Sequence, residues 1–472
     1  AKGLPIYPGF IDAHCHFFNL GLSLGQVDLR GTKSIEEIEK RLQSYSQNNQ
    51  FDIIIGRGWD QNLWKSKVFP NNNFLNRLFP DKLVLLRRID GHALLVNDLV
   101  IKKAEINSKT RVSGGSILIE NNKPTGILID NAMDLAMNIL PSKSSKIISK
   151  ALIDAQTKAF ENGLTTVDDA GLNKRTIMII DSLQKKGDLK IRVYAMISNT
   201  SDNLNYFLDK GIIEQEKLTV RSVKAYLDGA LGSRGALLKK PYSDDNKNKG
   251  ITITTKEELF ELAKKLSSKG FQLNTHAIGD KANEIVLDVY NYILKDIEDP
   301  RWRVEHAQVV DEFDIQKFNS KIIPSVQPTH ATSDMNWADD RLGSSRLKRA
   351  YSYKNLLDWS GKIALGTDFP VEKVNPLLTF YSAVARKDIE GNPSEGFLKE
   401  NALTRTEALK GMTIWAAYSN FEDSFKGSIE IGKFADFVIL TKDIMKVPEE
   451  EITNVDVVAT IVNGSIVFQK FD

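Results

Sequence analysis

The chain has 472 residues, with 63 Lys+Arg against 61 Asp+Glu, a formal charge of +2. There is thus no basic excess to neutralise a phosphate backbone, and nucleic acid is excluded as the expected partner. One cysteine, Cys15, excludes an intrachain disulfide framework, and no apolar run of about 18 residues exists to span a membrane.

The first apolar run, 6–13, ends in Asp12-Ala13-His14-Cys15-His16. On a strand, residues i and i+2 share a face, so His14 and His16 are expected to point together and Cys15 away from them. Two imidazoles on one face begin a divalent-metal site, although an isolated His-x-His is more often structural. Residues 50–144 are far more than one helix needs before the next strand. They contain Ile53-Ile54-Ile55, the run 83–86 and a hairpin over 116–129 with its turn at Asn121-Asn122, and read as an inserted α+β subdomain.

From about residue 145 amphipathic helices alternate with short apolar runs. A helix over 145–162 stops at Gly163, and Thr255 with Glu258 forms a capping box that opens a helix ending at Gly270. Strands are expected at 164–167, 191–197, 218–227, 271–275, 301–305, 322–326 and 363–366. With the first run these make eight, which points to a (β/α)8 TIM barrel of the α/β class, a doubly wound open sheet being the alternative. The last stretch, 427–472, is strand-rich with turns at Gly432 and Asn463-Gly464, a small β domain at the chain end. The expected organisation is residues 1–50 as first barrel strand and helix, 51–144 as insertion, 145–426 as the rest of the barrel and 427–472 as the small β unit.

The polar residues that end these runs form one chemical set. His276 follows 271–275, His306 follows 301–305 and Asp368 follows 363–367. All lie at the C-terminal ends of barrel strands, the face where such barrels do their chemistry. A carboxylate such as Asp368 can ligate a metal and accept a proton. Lys224 lies inside the fourth run, where a charged amine is costly unless paired or modified; the alternative places Val223 inward and Lys224 on the surface. His92 and His330 are candidates for hydrogen bonding to a substrate or its oxyanion, against a structural role in loops. Arg57 and Trp59 are candidates to line the pocket, with core packing the rival for Trp59. Asp228, Arg234 and Asp334 are weaker candidates. The glycine-rich turn 229–235 lacks the strand–helix fingerprint of a phosphate loop.

These segments resemble the amidohydrolase superfamily, in the branch of YtcJ-like proteins and N-substituted formamide deformylases. The resemblance is carried by PGFIDAHCHF (8–17), GRGWD (56–60), DGHALLVN (90–97), VKAYLDGALGSRGA (223–236), NTHAIGD (274–280), VEHAQ (304–308), VQPTHATSD (326–334), LGTDFPVE (365–372) and GSIEIGKFADFVIL (427–440). It implies zinc held by His14, His16 and Asp368. It also implies a second divalent ion at His276 and His306, bridged by Lys224 if that residue is carbamylated, and Asp368 as general base. An unmodified Lys224 favours one metal. The reaction implied is hydrolysis of a carbon–nitrogen bond in an amide, formamide or cyclic amide. Ester hydrolysis, isomerisation or decarboxylation on the same centre, or a non-catalytic binding protein, are the alternatives.

The expected partner is a small-molecule substrate, and a homo-oligomer stays open. The resemblance also implies a β domain assembled from both chain ends, so its N-terminal half is expected to be missing before Ala1. A cytoplasmic location is expected, an exported form staying open for the same reason.

Overall fold

The computed structural model describes residues 3–48, 52–141 and 143–470. Eight parallel strands follow one another in chain order around a barrel. They are β1 (Phe10–Cys15), β2 (Leu164–Leu172), β3 (Arg192–Ser198), β4 (Leu218–Tyr226), β5 (Gln272–Ala277), β6 (Trp302–His306), β7 (Ile322–Val326) and β8 (Ala364–Leu365). The seam between β8 and β1 is closed just beyond the short last strand. There the Asp368 N–H donates to the His14 carbonyl and the His16 N–H to the Phe369 carbonyl, each at 2.8 Å. Below these bonds the Asp12 carboxylate accepts from the Thr367 backbone N–H at 3.0 Å and from its hydroxyl at 2.7 Å.

Period-two alternation decides what the strands put inside. On β4 Val223 and Ala225 enter the apolar layer between sheet and helices, so Ser222 and Lys224 face inward. The helices bury matching stripes: Ser145–Glu161 contributes Ile148, Leu152, Ala155 and Ala159, and Lys256–Ser267 contributes Leu259, Leu262, Ala263 and Leu266. The capping box at Thr255 and Glu258 is formed, and Gly163, with φ +79, turns the chain from helix into β2. The inward positions near the N-terminal ends of the strands hold ions instead. Arg303 on β6 donates to Asp168 on β2 at 2.9 Å and to Asn420, and Asn420 donates to Asp168 at 2.7 Å.

Two expected boundaries move. The run 6–13 is not one strand. Ile6–Pro8 pairs antiparallel with Phe437–Leu440, and β1 begins only after Gly9. The crossing between sheets brings Gly9 so close to Thr165 that a Cβ there would lie 2.3 Å from its Oγ1. Ile6–Pro8 thus joins Phe437–Leu440, Val457–Val462 and Ser465–Gln469 in a sheet that has four strands among the described residues, with its last turn at Asn463-Gly464, both at positive φ.

The insertion is a six-stranded sheet, and its edge strand is Val27–Asp28, paired parallel with Ile53–Trp59. Helix Ile35–Asn48 packs Ile38 and Leu42 into the same core as Ile54 and Leu86. The inserted unit therefore starts well before the expected boundary at residue 51. Its hairpin, Gly115–Glu120 with Lys123–Asp130, turns through Asn121 and Asn122 at φ +48 and +59, the two left-handed residues of a type I′ turn.

Candidate active site

All six histidines of the chain meet at the C-terminal end of the barrel. Ring centroids are 5.7 Å apart for His16–His14, 4.8 Å for His14–His306 and 4.5 Å for His306–His276. The row continues to His92 at 5.1 Å from His276, and His330 lies 5.9 Å from His306. Local backbone explains how neighbouring strand positions reach one centre. His14 is the last inward-facing residue of β1, and His16 follows the strand as the N-cap residue of helix Phe17–Ser23. On β6 alternation gives the inward position to Glu305. His306 reaches the centre with φ +74, and Asp368 likewise sits at φ +59. Positive φ at such residues is costly and is held only where surrounding packing over-determines it.

The hydrogen bonds on the far side of each ring assign its protons. His14 Nδ1 lies 2.5 Å from Glu305 Oε2, and His16 Nδ1 lies 3.0 Å from the Ala170 carbonyl. Both partners can only accept, so in the neutral rings the Nε2 lone pairs face the centre. His306 Nδ1 donates to Gln327 Oε1 at 2.7 Å, and His92 Nδ1 to Asp130 Oδ1 at 2.6 Å. His330 is turned the other way: its Nδ1 accepts from Gln308 Nε2 at 3.1 Å, which leaves the proton on Nε2, 3.6 Å from Asp368 Oδ2.

Lys224 is buried, and its Nζ donates to His14 Nε2 at 3.2 Å. The inward reading of Lys224 thus stands over the surface one. Burial pushes its amine down to about 8, although Glu305 and Asp368 oppose the shift. Burial also keeps His14, His276 and His306 below the ordinary imidazole value. For Asp368 burial acts upward, but His16, His14 and His306 together hold the carboxyl well below its ordinary range. For His92 burial acts downward and is outweighed by Asp130, so the ring is held above the ordinary value.

His14, His16 and Asp368 bring one ligand atom each within 4.8 Å of one another, and so do His306, His330 and Asp368. The second trio takes in His330, expected as a substrate contact, in place of His276. His276 Nε2 lies 3.4 Å from the Gly229 carbonyl and 3.7 Å from Asp228 Oδ1. The donor set fits a divalent cation. His16 Nε2 and Asp368 Oδ1 are both acceptors, yet they face each other at 3.2 Å, and Asp368 Oδ1 is buried without an aligned hydrogen bond.

A cavity of about 430 Å³ opens over this cluster, with Leu63, Leu231, Trp337 and Ile389 on its outer walls and Asp334 among its lining residues. Trp59 is not among them. It is fully buried in the core of the inserted sheet, where its indole N–H donates to the Leu86 carbonyl at 2.7 Å. The expected pocket role of Trp59 is corrected accordingly. On a sheet covered on both faces, an inward residue meets core rather than substrate. Arg57 lines a second, adjoining cavity. Arg234 pairs with Asp244, and Asp228 binds the Ile278 and Gly279 amides below His276. Cys15 is buried with its thiol 3.5 Å from the Asp168 carbonyl, facing away from the cluster as expected. Glu305, Asp130 and Gln327, the groups that orient the rings, were not singled out from sequence. Glu305 and Gln327 lie beside motif histidines in the sequence, whereas Asp130 is 38 residues from His92 and outside every motif, so only the fold brings it to that ring.

No helix among the described residues is long and apolar enough to cross a membrane. The family model described as the amidohydrolase family matches residues 1–468. Protein LONG AFTER FAR-RED 3 of Arabidopsis thaliana is 33% identical over 482 residues, covering 98% of this chain and 82% of that protein. The putative amidohydrolase YtcJ of Bacillus subtilis (strain 168) is 31% identical over 479 residues, covering 99% of this chain and 90% of that protein. Among solved structures, an uncharacterized metal-dependent hydrolase from Pyrococcus horikoshii superposes with a TM-score of 0.75 at 30% identity, covering 95% of this chain and 88% of that one. With the barrel, the histidine cluster and a family match over nearly its whole length, this chain belongs to the amidohydrolase family of hydrolases.

Proposed function

We propose that the protein is a metal-dependent hydrolase that cleaves a carbon–nitrogen bond of an amide, formamide or cyclic amide. The observation that carries the metal dependence is the pair of facing groups, His16 Nε2 and Asp368 Oδ1 at 3.2 Å, beside the buried rings of His14, His276 and His306. The family match and the formamide-deformylase-like segments support the bond type.

His14, His16 and Asp368 would hold a zinc ion; His276, His306 and a carbamylated Lys224 would hold a second divalent ion if two are present. Such an ion supplies Lewis acidity, which lowers the pKa of water and polarises a carbonyl. Asp368, kept ionised by its histidines, takes the proton of the attacking water and returns it to the leaving nitrogen. His330 presents a proton on Nε2 beside Asp368, placed to donate to the oxyanion that develops on the carbonyl oxygen. Glu305 and Asp130 fix the tautomers of His14 and His92. The low amine pKa of Lys224 leaves part of it neutral near physiological pH, the form that adds carbon dioxide to give a carbamate.

The test is turnover of a panel of formamides and N-acyl amines by the wild type, Asp368→Asn and His276→Ala, with amine and acid products identified. Each variant is expected to lose orders of magnitude in kcat while melting as a folded protein. Full activity in either variant sinks the assignment. Products other than an amine and an acid move the reaction to another class.

A further inference from the structure

Beside the histidine cluster lies a second cavity of about 320 Å³, sharing His16, His92 and Tyr226 with the larger one. Two guanidinium groups line it, Arg57 from the strand Ile53–Trp59 and Arg87 from its neighbour Leu83–Arg88, at positions paired in register. Among the described residues they hydrogen-bond to carbonyls alone. Arg57 Nη2 donates to Ile89 at 3.0 Å and its Nε to Pro370 at 3.5 Å, while Arg87 Nη1 donates to Gly91 at 3.3 Å. Among the described residues neither forms an ion pair. Arg57 Nη1 and Arg87 Nε and Nη2 have no hydrogen-bond partner among the described residues.

The carboxylates around them are already engaged. Asp90 pairs with Arg88 at 2.5 Å, and Asp130 with His92 at 2.6 Å. Asp134 stands near Arg87 without pairing, and burial shifts its carboxyl toward the neutral form. Lys143 adds a further positive charge close to Arg87. Burial, then the nearness of Arg87, pushes Arg57 down to about 10, a displacement that a bound anion reverses. The residue opposite the Arg57 head is Gly91, at φ +80, where a Cβ would sit 3.7 Å from Nη1. Two unpaired forks on adjacent strands match the oxygens of a carboxylate.

We infer that this cavity is an anion subsite in which Arg57 and Arg87 receive a carboxylate carried by the substrate. The scissile bond would then lie at the histidines and an apolar substituent in the larger cavity. The substrate class is an amide with a carboxylate on one arm and an apolar group on the other. This deepens the hydrolase reading and rests on it for the bond cleaved, but not for the binding of the anion.

The experiment uses the protein as purified, with its metal content measured, and has a binding arm and a kinetic arm. In the first, calorimetry compares phenylacetate with phenylacetamide on the wild type, Arg57→Met and Arg87→Met. The ratio of their affinities is expected to favour phenylacetate in the wild type and to fall about 10- to 100-fold in each variant. An unchanged ratio in both variants places the carboxylate elsewhere, on the metal included, and overturns the subsite. Should one variant fail to fold, the other, together with Arg57→Lys, decides, since lysine keeps the charge but not the fork. In the second arm, kcat/KM for N-formylphenylalanine is divided by that for N-formylphenethylamine, its neutral counterpart. That quotient is expected to be large in the wild type and to collapse in the variants; a quotient near one in the wild type overturns the assignment of the anion to the substrate. If neither compound nor any other amide is hydrolysed, the carbon–nitrogen reading fails, while the binding arm still decides the subsite.

Discussion

Glu305 Oε2 accepts a hydrogen bond from His14 Nδ1 at 2.5 Å, inside a barrel where neither side chain reaches solvent. His14 draws the Glu305 carboxyl below its ordinary value against the upward push of burial. The same bond commits His14 Nε2 to the centre as a lone pair, so the carboxylate behind the ring sets the geometry of the imidazole in front of it.

Glu305→Gln keeps the shape but removes the charge that orients and enriches the ring. It is expected to weaken binding of a divalent metal about 10- to 100-fold without unfolding the protein. Metal content after equilibration with graded chelator measures this. Retention equal to wild type would show that Glu305 does not support a metal ligand.

Trp59 is expected to matter for stability alone. Trp59→Phe removes the indole donor to Leu86 and leaves that buried carbonyl short of a partner, at a cost of about 1–3 kcal/mol. Denaturant melts should show that loss while KM stays at the wild-type value. A raised KM with unchanged stability would return Trp59 to the pocket.

The ion cluster low in the barrel supplies a different test. Arg303→Met leaves Asp168 buried without its cation, and the loss of stability is expected to be about 3–5 kcal/mol. Adding Asp168→Asn should recover part of it, because the stranded charge goes with the same change. Additive losses in the double variant would mean that the two residues are not energetically coupled.

Much of this was legible in the sequence because a parallel barrel imposes a simple grammar. An apolar run ends, and the polar residue that ends it lies on the active face; His276, His306 and Asp368 were found in that way. The grammar fails where backbone or covering layers break the alternation. Glu305 precedes His306 and takes the inward position, while His306 reaches the centre only through φ +74. No periodicity announces that exchange. Trp59 lies on a strand covered on both faces, where alternation separates two cores and not core from pocket. Val27–Asp28 is too short for a pattern, so the true start of the inserted sheet was invisible. Arg57 and Arg87 were likewise separate letters until strand register set them side by side.

The junction between barrel and small sheet offers a pH test away from the centre. The Tyr7 hydroxyl donates to Asp443 Oδ1 at 2.5 Å and ties the strand Ile6–Pro8 to the segment after Phe437–Leu440. That bond, more than any other influence, holds the Asp443 carboxyl below its ordinary value of 3.8. A depressed folded value means the ionised form is favoured by folding. Its contribution is therefore present above about pH 4 and is lost as pH falls through the folded value. Tyr7→Phe is expected to cost about 1 kcal/mol at pH 7. The gap between wild type and variant should narrow as the pH is lowered below 4. Melting curves across pH 3 to 7 measure the gap, and a difference that stays constant over that range would show that Asp443 ionisation is not linked to the Tyr7 bond.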